Sequence, residues 1–442
     1  MKPVLGIIAD DFTGANDTGV QFSKKGVQTA VVFDSERLTA KSSLGSVVVV
    51  DTESRFDEPD VAAKKVAAAT GALRSMGVTY LYKKLDSTMR GNVGAEIAAA
   101  LEVSGYTLAV AAPALPANGR ITREGACIVN GVPVAETEIR NDPRTPVHTS
   151  DIVEIIQHQS DLPVRKIGLH TVRAGAVALL NELGDADATD GPEVALVDAE
   201  TDEDLQIIGQ AIFQAAQPVL LVGTAGLAGY LPAPMYRSEQ DVVTLENTPP
   251  VNTQAPCLFV VGTVSSVTSV QVTELCAAHG DIIELAPNLE NLIVSPLEEQ
   301  ERIYQQAAAA LKSGAHCVIR TSKTSDDVDR LMTNASRQNI APQEAGALPA
   351  RMLGAITAQI LTSLDLRGLF ISGGDTAIRV AEQLGATGFL VGEEVLPGIP
   401  AGRFVANGTV AYGACPVVTK AGGFGKPDAL KEIFRYMRGL TW

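Results

Sequence analysis

Positive charge is in short supply: 35 Lys and Arg stand against 51 Asp and Glu in 442 residues, a net charge of −16. A nucleic-acid partner needs clustered cations to neutralise its phosphates, so the deficit argues against nucleic acid. A few local cations can still hold a small anion, because net charge governs solubility and non-specific association and not any one pocket. Cysteine is scarce too. Cys127, Cys257, Cys276, Cys317 and Cys415 are widely spaced and form no CxxC pair, which excludes a disulfide framework and fits small core residues in a reducing compartment. The histidines (His148, His158, His170, His279, His316) lack paired metal-ligand spacing, so zinc chemistry has no basis. Long apolar runs are missing: stretches such as Ser46–Val50 and Leu108–Ala112 fall far below the ~18 residues of a membrane span. With no signal peptide or membrane anchor visible, the expected location is the cytoplasm. Three motifs are also absent. Gly425-Lys426 runs into Pro427 and not into Ser or Thr, so there is no ordinary P-loop, and neither GxGxxG nor GxSxG occurs.

What remains is a well-supplied core. Apolar residues make up 46% and charged residues 19%, which predicts a folded chain, and the length is a soft prior for two domains at roughly 150 residues each. Short β-branched runs recur, each followed by a turn and a stretch with helical spacing. Strands are expected at 4–9, 29–33, 46–50, 80–84, 108–112, 193–197 and 219–222. A second series is expected at 258–261, 282–285, 317–320, 368–372 and 416–419. This alternation predicts an α/β fold of two domains, each a largely parallel sheet flanked by helices. Between Leu231 and Pro256 the pattern breaks into a segment with five prolines. The expected division is therefore 1–235, a connection at 236–256, and 257–442. Gly223, Gly226 and Gly229 form GxxGxxG, read as close packing of a strand against a helix.

Ligands of open α/β sheets gather beyond the carboxyl ends of the strands. Four such junctions carry chemistry. Asp10-Asp11-Phe12-Thr13-Gly14 ends the first strand in adjacent carboxylates, which can accept hydroxyl protons, hold a cation, or have one pKa raised; the plainer reading is a helix N-cap. Arg55 follows the all-valine strand, where its planar fork can meet a carboxylate or lie in a solvated loop. Lys83-Lys84-Leu85-Asp86-Ser87-Thr88-Met89-Arg90 packs three cations, an acid and two hydroxyls behind the strand Tyr80–Tyr82, a composition suited to an anionic, hydroxylated molecule. In the second half, Gly373-Gly374-Asp375-Thr376 and Lys420-Ala421-Gly422-Gly423-Phe424-Gly425 each follow a strand. Glycine there lets backbone N–H groups approach phosphate oxygens, with Lys420 beside them to neutralise charge, unless the glycines serve only tight turns.

The opening IADDFTGANDTGVQFSKKG, the segment KKLDSTMRGN, and the later SGGDTA and KAGGFG together resemble the four-carbon acid sugar kinases over nearly the whole chain. The Asn16–Gln21 stretch looks most like the D-threonate branch. The resemblance implies an N-terminal acid-sugar-binding domain, a C-terminal nucleotide-binding domain, and an active site in the cleft between them. It implies transfer of the ATP γ-phosphoryl group to a substrate 4-hydroxyl, with Mg²⁺ bridging ATP oxygens. By resemblance, Asp11, Arg55 and Lys83, Lys84, Leu85 and Asp86 bind the acid sugar. Arg55 and one of the two lysines would hold its carboxylate, and Asp11 or Asp86 would act as the catalytic base. Ser265, Gly374, Lys420, Ala421, Gly422, Gly423 and Gly425 are carried over to ATP. The implied partners are small molecules only, with a homodimer left open. D-erythronate and 3-oxo-tetronate remain alternative substrates. An NAD-dependent acid-sugar dehydrogenase and a non-catalytic binding protein are the rival classes.

Overall fold

Runs of Val, Ile and Leu that are buried on both faces form strands of a parallel sheet, because every side chain then finds apolar contact. In the computed structural model, residues 3–38, 45–142, 144–184, 191–237, 252–321, 325–406, 409–410 and 415–439 are described. The chain divides into two units, Met1–Val243 and Thr244–Trp442. Most of the expected connection at 236–256 lies outside the described residues.

The first unit contains β1 Leu5–Ala9, β2 Thr29–Val32, β3 Val47–Asp51, β4 Tyr80–Lys84, β5 Leu108–Ala112, β6 Arg120–Arg123, β7 Ala126–Val129, β8 Val132–Pro133, β9 Val164–Ile167, β10 Glu193–Val197 and β11 Leu220–Gly223. Eight of these form a parallel sheet in the order β2-β3-β1-β4-β11-β5-β10-β9, while β6, β7 and β8 make a separate antiparallel meander. Three of its helices pack beside β1 and β4: α1 Phe12–Ser23, α2 Pro59–Met76 and α3 Val93–Ser104. Proline opens α2, and Gly77 closes it in the left-handed conformation, the expected asymmetry of helix ends. From β1 the chain crosses by α1 to the β2 side of the sheet; from β3 it crosses back by α2 to β4. Right-handed crossovers in opposite directions lie on opposite faces. The carboxyl end of β1 therefore sits at a switch point, where such sheets open a crevice. On the α2 and α3 face, Ile8, Val48, Val50 and Leu81 pack against Val66, Leu73, Val93 and Ile97.

The second unit contains β12 Cys257–Val261, β13 Ile282–Leu285, β14 His316–Arg320, β15 Gly368–Ser372, β16 Gly388–Leu396, β17 Ile399–Ala406, β18 Thr409–Val410 and β19 Val417–Lys420. Its order is β13-β14-β12-β15-β19-β17-β16, parallel as far as β19 and antiparallel beyond. Phe259 meets Phe370 at a tilt and Phe434 edge-on in its core. Sequence pattern does not reveal β9 or the pair β16 and β17, whose interior glycines, glutamates and proline conceal the strand signal. Among the described residues no helix is long and apolar enough to cross a membrane.

Two glycines at the end of β11 and just beyond it sit where a side chain would not fit. A Cβ on Gly223 would stand 2.7 Å from the Tyr82 hydroxyl, and one on Gly226 would run into the Ala114 carbonyl oxygen. Gly226→Ala should therefore lower stability by about 1–3 kcal/mol in urea unfolding, the cost of overpacking against a fixed backbone. Gly168→Ala, where nothing lies within 4 Å, should stay within about 0.5 kcal/mol of the parent.

Candidate active site

At the end of β1 two carboxylates grip one arginine. Arg55 directs Nε to Asp10 Oδ2 at 2.7 Å and Nη2 to Asp10 Oδ1 at 2.9 Å. Its other edge serves Asp11, with Nη1 to Oδ2 at 2.8 Å and Nη2 to Oδ1 at 2.6 Å. The loop is built for this: the backbone N–H groups of Ser54 and Arg55 both donate to the Asp10 carbonyl, and Glu53 turns the chain through a left-handed φ of 47°. Asp11 is also the N-cap of α1, accepting the Gly14 N–H at 2.9 Å, so capping and pairing are two uses of one side chain. Burial would raise the pKa of Asp10, but the Arg55 charge and hydrogen bonds, with Lys83 and Lys84 behind them, hold it below its ordinary value. For Asp11 burial wins despite Arg55, helped by the Asp10 and Asp86 carboxylates, and its pKa is raised. Arg55 thus has little fork left for a ligand. One Nη1 proton faces Asp86, at 3.8 Å. The expected contact of Arg55 with the substrate carboxylate would fall to that remaining Nη1 proton.

Strand alternation separates the neighbouring lysines. Lys83 points to the α3 face with no exposed surface, its ammonium 2.7 Å from Glu96 Oε2 and bonded to the Lys84 carbonyl at 2.6 Å. Ser54 donates to the other Glu96 oxygen at 2.6 Å, tying the Arg55 loop to this buried pair. Lys84 points the opposite way, to the α1 face. A Cβ on Gly14 would stand 2.5 Å from Asp11 Oδ1 and 2.8 Å from Lys84 Nζ, so glycine is what lets acid and ammonium converge over the start of α1. Among the described residues the nearest carboxylate to Lys84 is Asp17, at 3.8 Å, beyond hydrogen-bond range. Buried Asp17 has its pKa raised to about 6, chiefly by burial and against the pull of Lys84. Leu85 joins the apolar core.

Asp86 is saturated. Its Oδ2 accepts the Thr88 N–H at 3.1 Å, the Thr88 hydroxyl, and Arg90 Nε at 3.0 Å, while Oδ1 accepts Arg90 Nη2 at 3.0 Å. Burial opposes ionisation, yet Arg90, Arg55 and these bonds push its pKa well below the ordinary value. A carboxylate so held is a weak proton acceptor. Of the two expected acids, Asp11 is the one whose pKa is raised.

In the second unit three loops meet at the carboxyl ends of adjacent strands β12, β15 and β19. A Cβ on Gly262 would strike the Thr376 hydroxyl, and one on Gly422 the Thr263 hydroxyl. Ser265 precedes the helix Ser266–Ala278 without making a side-chain cap bond. Gly374 opens the helix Gly374–Gln383, so its N–H is one of the unpaired donors that favour anions. Lys420 leads into the last of these loops. It is buried and bonded to Thr268 Oγ1 at 2.9 Å and to the carbonyls of Ala421, Gly422 and Phe424 at 2.9, 3.1 and 3.1 Å, so it holds the loop from within. Burial lowers its pKa to about 7, while four acceptors favour the protonated form.

Sequence reasoning misses Glu96 and Asp17 as parts of the first cluster, and it counts Arg90 among the cations there without showing that Asp86 holds it; the one signal for Glu96 is an acid in the otherwise apolar start of α3.

A family model describing a sugar-binding N-terminal domain matches residues 5–231, and one describing a nucleotide-binding C-terminal domain matches 258–430. The chain is thus an α/β protein with one domain of each kind. It is 39% identical to the D-threonate kinase of Salmonella typhimurium, covering 98% of both chains. It is 32% identical to the D-erythronate kinase of Heliobacterium modesticaldum, covering 98% of this chain and 96% of that one. Against the 3-oxo-tetronate kinase of Burkholderia multivorans identity is 30%, covering 100% and 99%. The chain belongs to the four-carbon acid sugar kinase family. Solved proteins from Haemophilus influenzae (TM-score 0.71, 24% identity, 98% and 99% covered) and Salmonella typhimurium (0.80, 24%, 98% and 99%) share its fold.

The buried charges are open to two tests. Glu96→Ala leaves the Lys83 ammonium buried and unpaired, and should cost about 3–5 kcal/mol in chemical denaturation. For Asp17 the folded pKa of about 6 lies above the ordinary value of 3.8, so between these values the native state binds more protons and stability falls as pH rises. Asp17→Asn should remove that fall, gaining on the order of 2–3 kcal/mol relative to the parent between pH 4 and pH 7. Parallel stability curves for the two proteins would contradict the assignment.

Proposed function

We propose that the chain transfers the γ-phosphoryl group of ATP to the 4-hydroxyl of a four-carbon acid sugar, with D-threonate as the substrate. The observation that carries the reading is the Lys84 ammonium: it is buried beside Asp11 over Gly14, with no closer carboxylate among the described residues than Asp17 at 3.8 Å. A desolvated cation without a close partner is matched by a small carboxylate, and a charge-assisted bond there is worth about 1.5–3 kcal/mol. The D-threonate choice is supported by the 39% identity to a D-threonate kinase over 98% of both chains. D-erythronate and 3-oxo-tetronate are the competing acids.

Phosphoryl transfer needs positioning and charge stabilisation more than covalent chemistry. Lys84 holds the substrate carboxylate. Asp11, its pKa raised, accepts a hydroxyl hydrogen bond and takes the proton as the new P–O bond forms and the bond from the γ-phosphorus to the departing ADP oxygen breaks. Asp10 and Arg55 fix the orientation of Asp11, and Asp86 fixes Arg90. The loops after β12, β15 and β19 receive the nucleotide. Among the described residues no group of three or more His, Cys, Asp or Glu is placed to hold a metal ion. Mg²⁺ entering with ATP would supply charge neutralisation at the transferring phosphoryl group.

The test is a coupled ADP-release assay with Mg-ATP on D-threonate, D-erythronate, L-threonate and 3-oxo-tetronate, with product mass measured for one added phosphoryl group. A dominant response to D-threonate is expected; silence on all four from folded protein would overturn the reading. Lys84→Met should raise KM for the acid sugar about 10- to 100-fold with little change in KM for ATP. Asp11→Asn, which keeps the helix cap, should lower kcat/KM by about 10²–10⁴.

A further inference from the structure

The loop after β19 is organised by a single feature: its carbonyls converge. Lys420 Nζ takes those of Ala421, Gly422 and Phe424. The Thr268 hydroxyl donates to the Gly422 carbonyl at 2.7 Å while accepting from Lys420. The Gln271 amide nitrogen lies 3.0, 3.1 and 2.9 Å from the carbonyls of Phe424, Gly425 and Lys426. Five peptide oxygens thus face one buried set of donors. In a planar trans peptide the N–H points opposite to the C=O, so the amides of Gly422, Gly423, Gly425 and Lys426 are turned outward. None of these four donates to another described residue. A Cβ on Gly423 would meet nothing within 4 Å, so the outer side is open there.

The Gln271 side chain shows what this arrangement costs. Its Oε1 is buried with no hydrogen-bond partner among the described residues, a desolvated acceptor left unpaired. The opposite orientation of the amide would set that oxygen against three carbonyls, so the donor side is fixed and the acceptor is sacrificed to it. A cluster of outward N–H groups is an anion cradle. The helix Ser266–Ala278 supplies both Thr268 and Gln271, three residues apart and therefore on one face.

We propose that Thr268, Gln271 and Lys420 are positioning residues that hold the loop 421–426 with its carbonyls inward, so that its amides bind the polyphosphate of the nucleotide. The inference rests on the ATP-dependent reading above and goes beyond it by assigning two side chains of a helix interior to phosphate recognition. None of the three is required to touch the ligand; they act through the peptide groups that they turn. Because the donors are backbone amides, the cradle recognises phosphate charge and not the base.

The experiment measures the affinity of full-length protein for the Mg²⁺ complex of the non-hydrolysable analogue AMP-PNP, for AMP, and for D-threonate, by calorimetry. The variants are Thr268→Val, Thr268→Ser and Gln271→Met, with thermal unfolding recorded for each. Thr268→Val and Gln271→Met should weaken AMP-PNP binding at least 10-fold and AMP binding less, with D-threonate affinity unchanged. Thr268→Ser, which restores the hydroxyl, should stay within about threefold of the parent. Folded Thr268→Val and Gln271→Met proteins that bind AMP-PNP as tightly as the parent would overturn the positioning role and leave the kinase reading intact. A parent protein that binds no AMP-PNP would overturn both. Should Gln271→Met fail to fold, the Thr268→Val and Thr268→Ser pair decides by itself.

Discussion

The first unit depends on one guanidinium shared by two adjacent carboxylates. Asp10 and Asp11 could not both remain ionised side by side in a buried crevice without Arg55 between them, each with two hydrogen bonds to it. The fork also sets the order of the loops: it draws the segment after β3 across to the end of β1 and leaves one face of Asp11 toward Gly14 and Lys84. Truncating either partner of such a pair costs more than the pair contributes, because the remaining charge stays desolvated. The cluster behaves as one object, and loss of Arg55 would disturb the acids before it disturbed any ligand.

The second unit reaches a similar end with the opposite material. Where the first positions charged side chains, the second positions peptide groups, and the cation that leads into the loop, Lys420, is spent on the protein's own carbonyls. The difference suits the two ligands assigned. A small hydroxylated acid has one charge and several hydroxyls to orient, and a few directional side chains meet that need. A polyphosphate offers many equivalent oxygens, and a row of backbone donors meets it without the flexibility of long side chains.

Much of this is legible in the sequence because chemistry sits where strands stop. Asp10, Asp11, Arg55, Lys84, Gly374 and the glycines of 422–425 all fall directly after apolar runs, and a parallel sheet gathers such positions at one edge. Direction is what the sequence hides. KK in a strand says that two ammoniums leave on opposite faces, but nothing local says which face is the crevice. Arg55 looks free because its partners lie more than forty residues away. Thr268 and Gln271 sit inside a helix with no motif, and their meaning depends on a loop some 150 residues later. The antiparallel strands β16 and β17 escape for a different reason, since Gly, Pro and Glu in their interiors are the residues that usually argue against a strand.

The neighbouring lysines of β4 carry a consequence for chain length. Side-chain direction alternates residue by residue, so deleting or inserting one residue before Lys83 would move each ammonium to the opposite face. A deletion would set Leu85 at the crevice position and Lys84 opposite Glu96, and an insertion would set Lys83 at the crevice position and take the ammonium away from Glu96. The two lysines would still be present in the sequence, and any comparison by composition would see no change. The parity of the span from Tyr80 to Asp86, and not only the identity of its residues, therefore decides which ammonium meets which carboxylate.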